Sequence, residues 1–125
     1  MFKKNILSLI VALVILFLSF TSKHTFDKLS VPDIPHLDKL VHLGMYFILM
    51  MALIFENRHL LTTWKKYFIL SLYPVLFGIA IEFLQSWLTR TRTGDFFDAC
   101  FNVLGVILAI FVWYLFTKLR RAEIK

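Results

Sequence analysis

Ionisable side chains interrupt several apolar stretches of this sequence, and they carry most of the chemistry that the chain could perform. Glu82 lies inside the apolar stretch that ends at Leu88, and His42 lies inside an earlier one. A charged residue at the centre of a membrane costs roughly 2.5–3.5 kcal/mol on insertion scales, so such residues usually face a partner inside a helical bundle. A histidine and a glutamate in this setting could transfer protons or bind a polar headgroup.

Two arginines and two aspartates follow closely, at Arg90, Arg92, Asp95 and Asp98. Arginine binds phosphate through paired hydrogen bonds, and a nearby carboxylate can orient its guanidinium group. This short segment therefore indicates phosphate recognition next to the Glu82 stretch.

The composition indicates which solvent surrounds these groups. Hydrophobic residues make up 59% of the 125 residues, whereas about 45–50% is typical of soluble domains. The excess predicts a membrane protein. The net charge of +6 could indicate nucleic acid, but the basic residues lie between apolar runs, so we expect no nucleic-acid partner.

The apolar runs predict an all-α, four-helix transmembrane bundle in a single domain covering residues 1–125. The spans are expected at about 5–22, 39–56, 67–88 and 99–117, since each is long enough to cross a bilayer. The basic start resembles a secretory signal, but the run ends without a small-x-small cleavage site, so we interpret it as an uncleaved helix. Pro74 predicts a kink in the third span.

The distribution of lysine and arginine predicts the orientation, because cytoplasmic loops are enriched in both. The termini and the loop between spans two and three carry nine of the fourteen basic residues, so both termini should be cytoplasmic and residues 23–37 and 89–98 should lie outside. We expect a multi-pass protein of the inner (cytoplasmic) membrane. The nine residues are Lys3, Lys4, Arg58, Lys65, Lys66, Lys118, Arg120, Arg121 and Lys125.

Each of the three later spans carries one polar stripe. At about 100° per residue, the polar or small positions of each span fall within an arc of about 60–100°. The stripes comprise Asp38, His42 and Tyr46 on the second span, Gly78, Glu82, Gln85 and Ser86 on the third, and Asp98, Asn102 and Gly105 on the fourth.

The depths of these polar residues within their spans also agree with one another. His42 and Asn102 lie about 6 Å below the outer ends of their spans, and Glu82 lies about 9 Å below its own. We therefore predict that these side chains meet beneath the outer surface, under the Arg90–Asp98 loop. The alternative is that neutral side chains such as Asn102 and Gln85 only join helices, while Tyr46 is an interfacial aromatic residue.

The combined pattern resembles the VanZ-like family, whose namesake is associated with resistance to the glycopeptide teicoplanin. The resemblance covers about residues 35 to 110, with either Arg90 or Arg92 matching the family arginine. It implies a small bacterial multi-pass membrane protein without implying a defined reaction. The matching elements are Asp38-Lys39-x-x-His42-x-x-x-Tyr46, Glu82-x-x-Gln85, an arginine-rich turn and Asp95-x-x-Asp98-x-x-x-Asn102-x-x-Gly105.

Three functions fit these residues. The first is a binding or resistance protein whose outer pocket engages an envelope lipid or a lipid-linked cell-wall precursor. The second is a membrane enzyme acting on a phosphorylated headgroup, with His42 or Glu82 as acid or base. The third is a structural partner for another membrane protein. The binding set comprises Asp38, His42, Tyr46, Glu82, Gln85, Arg90, Arg92, Asp95, Asp98 and Asn102.

No cofactor is expected. His42, Glu82 and Asp98 would supply nitrogen and oxygen ligands acceptable to zinc or manganese. However, the sequence contains no HExxH or similarly tight ligand spacing, so a metal site is the least favoured alternative.

Overall fold

The computed structural model describes residues 5–20, 37–88 and 96–124, and nearly all of them are helical. The prediction of an all-α protein with four helices is confirmed. The helices are α1 (Ile6–Phe20), α2 (Leu37–Asn57), α3 (Trp64–Leu88) and α4 (Phe96–Ile124).

The helices do not stop where the apolar segments stop. Helix α4 begins three residues before the predicted span, so Asp98 lies in its first turn rather than in a loop. A carboxylate is favourable there because it faces the positive end of the helix dipole. At the other end, α4 continues through Arg121, whose positive charge suits a helix C-terminus.

Three helices are long and apolar enough to cross a membrane: residues Lys39–Asn57, Trp64–Trp87 and Phe96–Ile124. Helix α1 is apolar but shorter. Large apolar side chains such as Phe17, Phe68 and Trp87 are exposed on the outside of the bundle. In a bilayer these faces contact lipid, so their exposure needs no further partner.

Helix α2 is the central element, because it packs against the other three helices and makes its most extensive contact with α4. Its buried side chains Tyr46, Leu49, Met50 and Ile54 form half of the buried core. Contributions from the other helices complete the core, and these are Ile15, Ile81, Val106 and Ala109.

Gly105 sets the distance between α2 and α4. A side-chain carbon added at this position would collide with the backbone carbonyl oxygen of Leu43, and Phe47 lies close by. The two helix backbones therefore touch where α4 has no side chain, as in small-residue contacts of membrane helices. This contact brings the polar stripes of α2 and α4 together.

Glu56 fixes the start of α1. Its carboxylate accepts hydrogen bonds from the backbone N–H of Leu7 (2.5 Å) and of Ser8 (3.1 Å), and from the Ser8 hydroxyl (2.6 Å). The first N–H groups of a helix have no partner within the helix, and a carboxylate there also suits the helix dipole. We call this arrangement the glutamate cap.

Candidate functional site

His42 is the centre of a polar cluster built by three helices. Its Nδ1–H donates a hydrogen bond to the Asn102 side-chain oxygen across 3.1 Å. His42 lies on α2 and Asn102 on α4, and both are buried, with 8% and 2% of their surface exposed. The bond fixes the orientation of the imidazole ring between the two helices.

Carboxylates approach both nitrogens of the same ring. Glu82 Oε1 of α3 lies 3.9 Å from His42 Nδ1, and Asp98 Oδ2 of α4 lies 3.8 Å from His42 Nε2. These separations are ion-pair distances rather than direct hydrogen bonds. Both ring nitrogens of His42 therefore face a carboxylate oxygen.

Lys39 extends the cluster towards the end of α2. Its Nζ lies 3.6 Å from Asp98 Oδ1, and both side chains are largely buried. Lysine, aspartate, histidine and glutamate thus form one connected series. We call Lys39, His42, Glu82, Asp98 and Asn102 the histidine cluster.

Tyr46 and Gly78 close the cluster towards the core. A side-chain carbon added at Gly78 would lie 3.0 Å from Asn102 Nδ2 and 3.1 Å from the Tyr46 ring, so glycine is what permits this approach. The Tyr46 hydroxyl and Asn102 Nδ2 are buried and have no hydrogen-bond partner within the described part of the chain. A buried polar group without a partner is costly, so such atoms commonly mark the place of a water molecule or a ligand.

The structure brings together five of the residues selected from the sequence, namely His42, Tyr46, Glu82, Asp98 and Asn102. Their meeting follows from the shared angle and depth of the three stripes.

Gln85 is placed differently. Its side-chain N–H donates to the backbone carbonyl of Ser19 across 2.5 Å, so it joins α3 to α1. The sequence provided no means of choosing α1 as its partner. Asp38 belongs to α2, but its side chain lies outside the described part of the molecule, and so do Arg90, Arg92 and Asp95.

Sequence reasoning missed Lys39 as a member of the site. Lys39 occurs in the family pattern Asp38-Lys39-x-x-His42 but is not among the residues predicted to bind. The available signal was its spacing, because Lys39 precedes His42 by three residues and therefore lies on the same face of α2.

The cluster also contains a set of possible metal ligands. One ligand atom each from His42, Glu82 and Asp98 lies within 4.8 Å of the others. The three residues come from three helices, which explains why no short sequence motif reveals them. However, the Asp98 carboxylate already faces the Lys39 ammonium, and this positive charge opposes binding of a second cation.

Comparison with known proteins identifies the family. No curated protein and no solved structure matches the chain. The family model VanZ/LLP1 matches residues 4–117, which include all four helices apart from the last residues of α4. The match extends the resemblance seen in residues 35 to 110 to the first helix, and the chain belongs to the VanZ/LLP1 family.

Proposed function

We propose that this protein binds the polar headgroup of an envelope lipid, or of a lipid-linked cell-wall precursor, at the histidine cluster. The observation that carries the proposal is the meeting of ionisable side chains from three helices around His42, beside two buried polar atoms that have no hydrogen-bond partner among the described residues. Joining helices requires no charge, and neutral amides accomplish it at lower cost. Binding of a charged headgroup would explain why the cluster contains both a basic side chain and carboxylates.

The cluster supplies complementary contacts for such a headgroup. Lys39 provides a cation at the end of α2, the Tyr46 hydroxyl and Asn102 Nδ2 provide hydrogen-bond donors, and His42 can donate or accept. Arg90 and Arg92, which follow α3 in the sequence, would add the paired donors that phosphate prefers. Binding of this kind would alter how a glycopeptide reaches its target, which links the site to teicoplanin resistance.

The test is the single substitution Glu82→Gln. Glutamine keeps the shape of the side chain and removes the charge that faces His42. In a teicoplanin-sensitive bacterial host, we expect the unaltered protein to raise the inhibitory concentration of teicoplanin. The Glu82→Gln variant should accumulate to the same level in the membrane and give no protection.

Glu123→Gln is the matched control, because Glu123 is an exposed glutamate near the end of α4. It should behave like the unaltered protein. If Glu82 only joined helices, glutamine would replace it at a cost of about 1 kcal/mol or less. Full protection by Glu82→Gln would contradict the charged-site proposal.

The proposal places the histidine cluster on the extracytoplasmic side of the inner membrane. Reporter fusions after Lys66 should therefore read as cytoplasmic, and fusions within residues 23–37 should read as exterior. The reverse pattern would move the cluster to the cytoplasmic side and remove cell-wall precursors on the outer face from consideration.

A second candidate function is supported by the position of His42 between two carboxylates. A histidine held in this way can act as acid or base on a phosphorylated lipid or lipid-linked headgroup, with Glu82 assisting and Arg90 or Arg92 binding phosphate. Incubating the purified protein with a lipid-linked pyrophosphate separates the two functions. Phosphate release that is lost in His42→Gln would favour the enzyme, and binding without turnover would favour the binding protein.

A further inference from the structure

An apolar groove lies between α1, α2 and α3, towards the opposite end of the bundle from the histidine cluster. Its volume is about 610 Å³, which falls within the range of about 300–1,000 Å³ typical of ligand sites. Leu9, Ala12, Leu53 and Leu70 form part of its walls. Asn5, Ser8 and Asn57 provide polar groups at one end.

The groove lies where α1 is hydrogen-bonded to α2 but not to α3 within the described residues. Near its start, α1 is bonded to α2 through the glutamate cap, and Asn57 also donates to the Asn5 side chain across 3.2 Å. Near its end, α1 is held by α3, through the bond from Gln85 to Ser19. Because the two ends of α1 are bonded to different helices, a space between α1 and α3 remains beside the glutamate cap.

The location of the groove restricts its occupant. Its walls belong to the membrane-spanning parts of α2 and α3 and to the apolar α1. The surrounding medium there is hydrocarbon. An acyl chain matches this lining, whereas a polar molecule would lose its hydration without compensation.

Two basic residues lie at the start of α3, at the same end of the bundle as the polar end of the groove. Lys66 precedes Leu70 by about one helical turn and therefore lies on the same face of α3, and the side chains of Lys65 and Lys66 are both exposed. Arg58 is directed elsewhere, because its guanidinium donates to the Phe55 carbonyl and lies over the Phe55 ring. The nearby Glu56 carboxylate is directed at the α1 backbone. Basic residues next to a membrane attract anionic headgroups.

We propose that this groove binds one acyl chain of an anionic phospholipid, with its phosphate held by Lys65 and Lys66. The lipid belongs to the leaflet on the side of the glutamate cap. This site is separate from the histidine cluster, and its occupancy does not depend on the function proposed there.

Photocrosslinking tests the proposal directly. The full-length protein would be reconstituted in bilayers of phosphatidylcholine containing a small fraction of phosphatidylglycerol with a photoreactive acyl chain, and labelled residues would be identified by mass spectrometry. We expect labelling concentrated on Leu9, Ala12, Leu53 and Leu70. The same photoreactive chain on phosphatidylcholine should label these residues much less.

Neighbouring positions on α1 provide a matched pair of variants. Ala12→Trp fills the groove and should abolish the concentrated labelling of Leu53 and Leu70. Leu13→Trp adds the same indole at an exposed position that does not line the groove, and it should leave the labelling unchanged. Leu9→Trp fills the groove from a half-exposed position, so it remains informative if Ala12→Trp fails to fold.

A second pair tests the headgroup. Replacing Lys65 and Lys66 with glutamine should remove the preference for phosphatidylglycerol within the groove. The same change at Arg120 and Arg121, on the exposed end of α4, should preserve it. Labelling spread evenly around the bundle, or unchanged by either groove-filling variant, would show surrounding lipid only and would overturn the proposal.

Discussion

Glu56 and Glu82 each contact a neighbouring helix of this bundle, and their surroundings differ in kind. Glu56 is bonded to backbone N–H groups and a hydroxyl at the start of α1, all within two consecutive residues. Glu82 instead faces an imidazole, in a cluster that also contains Asp98 and Lys39. A carboxylate that satisfies a helix end has a sufficient structural explanation. A carboxylate surrounded by ionisable groups from other helices has none, and it is the better candidate for function.

The comparison is most strongly tested by separating the helices that build the histidine cluster. Gly105→Ala places a methyl group against the backbone carbonyl of Leu43, and overpacking of this kind costs typically about 1–3 kcal/mol, occasionally more. We expect lower thermal stability in detergent together with loss of the histidine-cluster function. The glutamate cap, which does not involve α4, should remain formed.

Gly44→Ala is the control for that substitution. Nothing lies within 4 Å of a side-chain carbon added at Gly44, and alanine favours a helix over glycine by about 1 kcal/mol. Its stability should be equal or higher. Equal stability of both variants would show that the α2–α4 contact is not close enough to position the cluster.

The converse substitution is Glu56→Gln, which weakens the glutamate cap and leaves the histidine cluster intact. Glutamine keeps only one acceptor oxygen, so α1 loses a cap that is worth about 0.5–2 kcal/mol. We expect a lower melting temperature in detergent and unchanged teicoplanin protection when expression is matched. Loss of protection at normal protein levels would contradict the assignment of a purely structural role to Glu56.

A smaller effect is expected at Lys39. Lys39→Met removes the ammonium facing Asp98, and partly exposed ion pairs contribute about 0–1 kcal/mol to stability. Stability should therefore change little, while teicoplanin protection should decrease in part. Lys39→Arg keeps the positive charge and should restore it. Full protection by Lys39→Met would show that the Lys39 charge is not needed for function.

The sequence was sufficient to predict the four helices and the meeting of His42, Glu82 and Asn102. Helical periodicity gives the face of each residue, and its distance from the end of a span gives the depth. The face and the depth of a residue depend only on its own helix, so both can be predicted without knowing how the helices are arranged. The predicted limits of α3 and α4 differed from the observed ones because a helix can continue beyond its apolar segment.

The neighbours of each helix could not be predicted in the same way. Helical periodicity assigns Gln85 to the polar stripe of α3, but its side chain donates a hydrogen bond to α1. Glu56 was given no structural role, although the start of α1 contains no acidic residue of its own to face its dipole. Both contacts depend on which helices are adjacent, and hydrophobic periodicity does not contain that information.

The close backbone contact between α2 and α4 at Gly105 has a consequence for biosynthesis. His42 and Asn102 are separated by 60 residues, so synthesis from one to the other takes about 3–12 s at roughly 5–20 residues per second. During this interval α2 carries its histidine and lysine without the partners that α4 supplies. The newly made helices must therefore remain beside the insertion machinery, or beside one another, until the last span emerges. The order of translation makes completion of the cluster the final step in assembling the bundle.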